Sequence, residues 1–190
     1  EDAICASGAG ASMIGLVFYD KSLRVVSVSQ AASIAKHPHV SAQTVGLFVN
    51  AEVGEVREVL AQVPLDLLQF HGDEDDAYCA QFGVPFIKAI RVQPALDLRA
   101  AVAAYPYAEA ILLDAYVKEA FGGTGKTFAW DLIPKGLHPK LILAGGVNSD
   151  NVADAIQCVQ PYAVDVSGGV EAEKGVKSQS LIQQFCAAAV

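Results

Sequence analysis

The chain has 190 residues, of which 53% are hydrophobic and 18% charged, and its formal net charge at pH 7 is −8. This composition excludes a disordered chain and indicates one folded domain, expected to span residues 1–190. Because no basic stripe is present, we expect no nucleic-acid partner. We also expect no membrane association and a cytoplasmic location, since the sequence has neither an apolar run of roughly 18–20 residues nor a signal-peptide pattern.

Apolar, β-branched runs alternate along the chain with segments typical of helices. The runs predict seven strands, at 13–19, 44–50, 65–71, 85–92, 110–114, 141–143 and 163–166. Eight helices are predicted, at 1–10, 29–37, 52–63, 74–82, 94–105, near 130, 150–159 and 179–189. We expect Ser29 to cap the second helix and Pro94 to begin the fifth. Such alternation indicates right-handed βαβ units and a parallel sheet.

The four cysteines are far apart and fall in segments predicted to be helical: Cys5, Cys79, Cys158 and Cys186. No two of them have C-x-x-C spacing, so we expect no zinc site. We interpret them as small apolar packing residues of a protein in a reducing compartment.

Polar or glycine residues follow the strands at or near their carboxyl ends: Arg24, Asn50, His71, Arg91, Asp114, Gly145 and Ser167. This placement is typical of a (β/α)₈ TIM barrel, whose phosphate site lies in the loops after strands seven and eight. The chain opens on a helix, however, and only seven strands are predicted. The predicted fold is therefore an α/β TIM barrel whose first β-strand is absent from the sequence as given.

Two glycine pairs follow consecutive strands near the end of the chain. Gly145 and Gly146 follow the sixth predicted strand, and Ser167, Gly168 and Gly169 follow the seventh. A single Gly-Gly pair is more often only a turn. Two pairs after neighbouring strands favour a phosphate site, because their backbone N–H groups can converge on one anion.

Taken in order, these segments resemble the phosphoribosylanthranilate isomerase family of tryptophan biosynthesis. The resemblance covers the whole chain and is carried by Gly15–Tyr19, Lys21-Ser22-x-Arg24, Val45–Asn50, Gln69–Asp73, Lys88–Arg91, Leu112–Ala115, Gly122–Gly125, Leu143–Gly146 and Val164–Glu171. It implies an Amadori rearrangement of a phosphosugar, N-(5′-phosphoribosyl)anthranilate, to the 1-deoxyribulose 5′-phosphate isomer. That reaction requires no metal and no cofactor.

The family reaction needs an acid that protonates the ring oxygen of the sugar and a base that removes the proton at C2. The resemblance implies that Asp114 is the acid, for which its pKa must be raised by burial or by a nearby carboxylate. It implies that Arg24 binds the anthranilate carboxylate. By position alone, Asp114 could instead bond the following loop, and Arg24 could be a solvated loop residue.

The remaining candidates keep two interpretations each. His71 would line the ring-binding pocket or be a structural histidine, and Arg91 would be a site residue or an ion-pair partner. Asp165 would bond sugar hydroxyls or orient the neighbouring loop. Gly122 and Gly123 would belong to a mobile flap over the substrate or to an ordinary surface loop.

The family's general-base cysteine lies on a leading strand, Lys-Ile-Cys-Gly-Ile-Thr, that would precede Glu1. We do not expect Cys5 to replace it, because Cys5 falls within the first predicted helix. One hypothesis is an active isomerase whose leading strand is outside the sequence given. The alternative is a phosphosugar-binding barrel fragment without isomerase activity.

A third hypothesis is another phosphate-binding barrel, such as a histidine-pathway isomerase or a lyase like the tryptophan synthase α subunit. The residues Lys21-Ser22-x-Arg24 and Leu113–Ala115 argue against it. A monomer or a homodimer is compatible with the resemblance. Fusion to, or pairing with, another tryptophan-pathway enzyme is a further alternative.

Overall fold

The computed structural model describes residues 1–93, 95–114, 130 and 133–190. Seven strands form one parallel sheet in chain order: β1 (Met13–Val17), β2 (Gln43–Phe48), β3 (Leu67–Phe70), β4 (Phe86–Arg91), β5 (Ala110–Asp114), β6 (Leu141–Ala144) and β7 (Ala163–Val164). The helices are α1 (Asp2–Gly8), α2 (Val28–Ala35), α3 (Val53–Gln62), α4 (Asp76–Ala80), α5 (Leu98–Ala103), α6 (Val152–Val159) and α7 (Gln179–Ala188). No helix in the described part of the chain has the length and apolar character needed to cross a bilayer.

Every strand pairs with its sequence neighbours, which confirms the predicted alternation and places all carboxyl ends at one edge. Side chains alternate between two faces of the sheet, as the period of two in a strand requires. One face forms a core of its own, built from Val45, Leu67, Ile87, Ala89, Ala110, Leu112, Ile142 and Ala144. The other face packs against the helices, so the central strands are buried on both sides.

Two predicted helix starts differ from the structure. The cap of α2 is Ser27, not Ser29, because the Ser27 hydroxyl accepts from the backbone N–H of Gln30 and the Gln30 side chain accepts from the N–H of Ser27. This reciprocal capping box satisfies two N–H groups at the helix start. Helix α5 begins at Leu98, where the carboxylate of Asp97 accepts from two backbone N–H groups. Pro94, predicted to begin it, lies outside the described residues.

The segment after β7 was predicted only as a glycine turn. It contains a 3-10 helix (Gly168–Val170) and an antiparallel hairpin of β8 (Glu171–Glu173) and β9 (Val176–Lys177). Strand β7 itself has two residues rather than the four predicted. The hairpin brings charged side chains back over the carboxyl end of the sheet.

In the described part of the chain, the outer edge of β1 carries a single bridge, from Val17 to Val25, and no further strand, and the outer edge of β7 pairs with no strand. The segments that follow these two strands nevertheless meet. The guanidinium of Arg24, after β1, donates to Glu171, after β7: Nε to Oε1 at 2.5 Å and Nη2 to Oε2 at 2.8 Å. Helix α1 also packs against α7, where the Cys5 thiol donates to the Gln179 carbonyl. These contacts join the two ends of the curled sheet outside its strand ladder.

The Glu171 carboxylate of this pair is largely shielded from water, since its side chain is 5% exposed, whereas the Arg24 side chain is 31% exposed. Lys177 Nζ (3.1 Å) and the backbone N–H of Gly175 (3.2 Å) donate to the same carboxylate. The hydrogen bond from Arg24 is the largest cause that lowers the pKa of Glu171, from its usual 4.5 to about 2. Its charged form is thus the one that the fold stabilises.

This lowered pKa predicts how stability responds to acid. Because folding moves the pKa of Glu171 from 4.5 to about 2, its contribution is full above pH 4.5 and is lost as the pH falls toward 2. We expect Glu171→Gln to lower the free energy of unfolding near neutral pH by about 1–3 kcal/mol. The variant should then lose less stability than the unsubstituted protein across this acid range, as measured by urea unfolding at several pH values.

Glu173→Gln, an exposed substitution in the same hairpin, is the matched control. It should change neither the free energy of unfolding near neutral pH nor its loss in acid. An acid dependence of Glu171→Gln equal to that of the unsubstituted protein would contradict the role given to this carboxylate.

Candidate active site at the carboxyl ends of the strands

A cavity of about 590 Å³ opens beside the carboxyl ends of the first four strands. Its lining includes Tyr19, Asn50, His71 and Arg91, which follow or end β1 to β4. Arg91 is exposed and makes no ion pair with any residue that the structure describes. The ion-pair interpretation of Arg91 therefore has no partner among the described residues, and its place at this cavity keeps Arg91 a candidate site residue.

Asp114 ends β5 and faces His71, which follows β3. His71 Nε2 lies 3.3 Å from Asp114 Oδ2, and His71 Nδ1 lies 3.3 Å from the side-chain nitrogen of Gln69. Because an amide nitrogen donates, this orientation of Gln69 suits the tautomer in which Nδ1 accepts and Nε2 carries the hydrogen toward Asp114. Sequence reasoning placed both residues at the carboxyl edge of the sheet, here called the mouth, but gave no indication of this contact.

Asp165 follows β7 and interacts electrostatically with Asp114. Desolvation is the largest cause that raises the pKa of Asp165, the Asp114 carboxylate adds to it, and His71 and Lys177 oppose it. Protein atoms surround the Asp165 carboxyl group, although the residue remains exposed to solvent. The nearby carboxyl group that the chemistry of Asp114 calls for is present.

The two glycine turns lie against each other. Gly145 and Gly146 have φ values of 83° and 72°, which disfavour other residues. A Cβ on Gly169 would lie 2.2 Å from the carbonyl oxygen of Val147, so this close approach needs glycine. In the described part of the chain, the backbone N–H groups of Gly146, Gly168 and Gly169 make no hydrogen bond. They are therefore available to an anion.

Lys177 supplies a positive charge beside these turns. Its Nζ donates to the Ser167 carbonyl at 2.7 Å and lies 3.5 Å from the Ser167 hydroxyl. Sequence reasoning missed this residue, because the hairpin that returns it to the turns has strands of only three and two residues. Its sequence signal was limited to a lysine that follows a Gly-Gly pair within ten residues.

Arg24 lies on the same side of the mouth as the second glycine pair. A Cβ on Gly168 would lie 3.8 Å from Arg24 Nη2. Glu171 engages Nε and Nη2, whereas Nη1 makes no hydrogen bond with any described residue. Arg24 is thus an ordered side chain with one edge open to a further anion, rather than the solvated loop residue of the alternative interpretation.

The remaining predictions concern the glycine-rich loop, Cys5 and metal binding. Gly122 and Gly123, with Thr124 and Gly125, lie outside the described residues, so the flap stays a prediction. Cys5 does lie in α1, as expected, packed in the outer layer and away from the strand ends. Among the described residues, no group of three or more His, Cys, Asp or Glu side chains could hold a metal ion.

Comparison with known proteins gives one consistent result. The family model for N-(5′-phosphoribosyl)anthranilate (PRA) isomerase matches residues 1–188. The N-(5′-phosphoribosyl)anthranilate isomerase of Pseudomonas fluorescens (strain Pf0-1) is 57% identical over 187 residues, which cover 97% of this chain and 91% of that protein.

Solved structures agree. A phosphoribosyl anthranilate isomerase from Thermotoga maritima superposes with a TM-score of 0.88 at 38% identity, covering 99% of this chain and 92% of that one. A second structure, with a TM-score of 0.85, 36% identity and the same coverage, is an isomerase in complex with reduced 1-(o-carboxyphenylamino)-1-deoxyribulose 5-phosphate. A third, with the same values, comprises monomers generated from the dimeric Thermotoga maritima enzyme. The curled parallel sheet, the mouth at its carboxyl edge and these matches together show that the chain belongs to the N-(5′-phosphoribosyl)anthranilate isomerase family.

Proposed function

We propose that this chain isomerises N-(5′-phosphoribosyl)anthranilate to 1-(2-carboxyphenylamino)-1-deoxyribulose 5-phosphate, a step of tryptophan biosynthesis. One observation carries the proposal for this site: Asp114, His71 and Asp165 meet in a mouth whose next two loops offer free N–H groups to a phosphate. A phosphosugar would suit this arrangement, because a phosphate bound at the glycine turns would place the reacting carbons toward the titratable groups.

Asp114 is the proposed general acid. It donates a proton to the ring oxygen of the furanose, the bond from C1 to that oxygen breaks, and the nitrogen lone pair forms the Schiff base. A base then removes the proton at C2, which gives the enolamine and, after tautomerisation, the ketone. The electrostatic interaction between Asp165 and Asp114 supports the proposal, because two like charges so placed favour the presence of a proton on the pair.

Replacing the acid should separate chemistry from binding. We expect Asp114→Asn to lower kcat by about 10²–10⁴-fold, the usual contribution of a positioned acid or base. Binding of the reduced product analogue should change by less than about 3-fold, since the amide keeps a similar shape. Asp154→Asn, exposed on α6, is the matched control with unchanged kcat. Near-normal turnover of Asp114→Asn would remove Asp114 from this role.

The two ends of the substrate are assigned by charge. The phosphate is placed on Gly145 and Gly146 and on Ser167, Gly168 and Gly169, with Lys177 balancing its charge. The anthranilate carboxylate is placed on the open Nη1 edge of Arg24. Its other edge is held by Glu171, so the guanidinium is oriented before the substrate arrives.

The assignment of Arg24 can be tested against its alternative, a phosphate contact. The test compares the Glu171→Gln variant with the double variant Glu171→Gln and Arg24→Gln. Glu171 is replaced in both proteins so that the loss of Arg24 leaves no unpaired carboxylate. Loss of Arg24 should weaken binding of the carboxylate-bearing product analogue by roughly 10–100-fold, the value of a charged hydrogen bond. Binding of ribose 5-phosphate, measured by calorimetry, should change by less than about 3-fold. Equal losses for both ligands would instead place Arg24 at the phosphate.

The base is proposed to come from an eighth strand between β1 and β7. The open edges of these strands support this, as does the family's cysteine on a strand at that position. From there a thiolate would face Asp114 across the mouth, because β5 lies on the far side of the ring. Full turnover by a protein whose intact mass is the 19.9 kDa of this sequence would contradict the proposal.

We propose a flap formed by Gly122 and Gly123, a cytoplasmic location, and a monomeric or dimeric barrel. Fusion to, or pairing with, another tryptophan-pathway enzyme stays a prediction.

A further inference from the structure

A buried ion pair lies beneath the mouth, in residues to which the proposed chemistry assigns no role. Lys88 Nζ, from β4, lies 2.9 Å from Oε2 of Glu74, and both side chains are 3% exposed. Taking two charges out of water costs several kcal/mol for each ion, and apolar replacements of such pairs are often neutral or stabilising. Stability alone is therefore a poor explanation for a buried pair at this place.

The Glu74 carboxylate ties together the loops after β2 and β3. It accepts from the backbone N–H of Asn50 at 2.6 Å and from that of Gly72 at 2.9 Å. The two loops touch here, since a Cβ on Gly72 would lie 2.2 Å from the Asn50 side-chain oxygen. Both are held by one carboxylate.

The Lys88 ammonium holds the same loop from the strand side. It donates to the carbonyl of Gly72 at 2.7 Å and to that of Phe70 at 3.4 Å. The ring of Tyr105 lies 5.4 Å from Nζ, and its hydroxyl donates to the Glu74 carbonyl at 3.0 Å. The ammonium thus has carbonyl, carboxylate and aromatic partners, which is how a buried cation is accommodated.

The residue between these contacts is His71. The carbonyl before it, and the N–H and carbonyl of the residue after it, all bond to Lys88 or Glu74. Its own N–H donates to the carbonyl of Phe48 at 2.9 Å. The backbone on both sides of the imidazole is therefore fixed, and the imidazole points at Asp114.

We propose that Glu74 and Lys88 are a positioning pair that holds the His71 imidazole against Asp114 for the proton transfer. The inference rests on the proposed function, since it assigns the pair to the same site. Neither residue touches substrate in this account. They act through the backbone of His71, and a fixed imidazole donor lowers the reorganisation needed when the Asp114 proton moves.

The test is a double-mutant cycle. Lys88→Met with Glu74→Met removes both charges together, so no unpaired ion is left in the core. We expect kcat to fall about 10–100-fold, the order of loss that a small misplacement of a catalytic group can cause, and KM to change by less than about 3-fold. In a His71→Asn background, which itself lowers kcat, the same two substitutions should cause little further loss, because they act through His71.

Equal losses of kcat in both backgrounds, or no loss in either, would overturn the inference. So would a His71→Asn variant with normal kcat. Lys140→Met with Glu109→Met is the matched control, because that ion pair is exposed at the amino edge of the sheet and should leave kcat unchanged. If the buried double variant does not fold, Glu74→Gln, which keeps the shape, replaces it in the same cycle.

A second readout keeps this inference separate from the proposed function. The imidazole nitrogen resonances of His71, assigned by their absence in His71→Asn, should shift in the buried double variant without ligand. They should not shift in the Lys140/Glu109 control. Absent turnover in an unsubstituted protein that includes the eighth strand would defeat the proposed function, whereas unchanged His71 resonances would defeat the positioning pair.

Discussion

The contact between Arg24 and Glu171 is the constraint on which the geometry of the mouth depends. The seven strands of the sheet are paired in chain order, so nothing in their ladder joins the first to the last. The two-pronged ion pair, with Lys177 on the same carboxylate, brings the loops after β1 and β7 together. Because Gly168 and Gly169 precede Glu171 by a few residues, the same contact places the second glycine turn beside Arg24.

The ring of strands sets the chemistry by bringing groups of different elements to one edge. Asp114 ends β5, Asp165 follows β7 and His71 follows β3, yet the three interact. Desolvation and a neighbouring negative charge raise the pKa of Asp165, while the imidazole of His71 lies within hydrogen-bond distance of Asp114. General acid–base catalysis needs titratable groups in different environments, because one group must hold a proton while another is ready to exchange it.

The sequence predicted the sheet well because its signal is local. Runs such as 110–114, whose side chains alternate between two apolar environments, predict buried strands, and the structure confirms this one at both ends. The cap of α2 was also readable: Ser27 and Gln30 have capping-box spacing, whereas Ser29 was chosen for its place near the helix start.

The contacts between distant elements could not be read in this way. Lys88 was visible as a charge inside an apolar run, but its partner Glu74 lies in the loop after another strand. Likewise, Glu171 and Lys177 belong to a hairpin too short for a period-two pattern. Predicting these pairs requires the curvature of the sheet, which no single strand encodes. The glycine turns differ: their residues were predicted from the sequence, and the structure adds that the two turns touch.

The most direct measurement of the central claim is a crystal structure of this protein with reduced 1-(o-carboxyphenylamino)-1-deoxyribulose 5-phosphate bound. The phosphate should lie on the N–H groups of Gly146, Gly168 and Gly169, and the carboxylate should lie on the open edge of Arg24. Asp114 should lie within hydrogen-bond distance of the sugar oxygen that leaves C1. A phosphate bound away from the glycine turns, or a carboxylate held by Arg91 in the neighbouring cavity, would contradict these assignments.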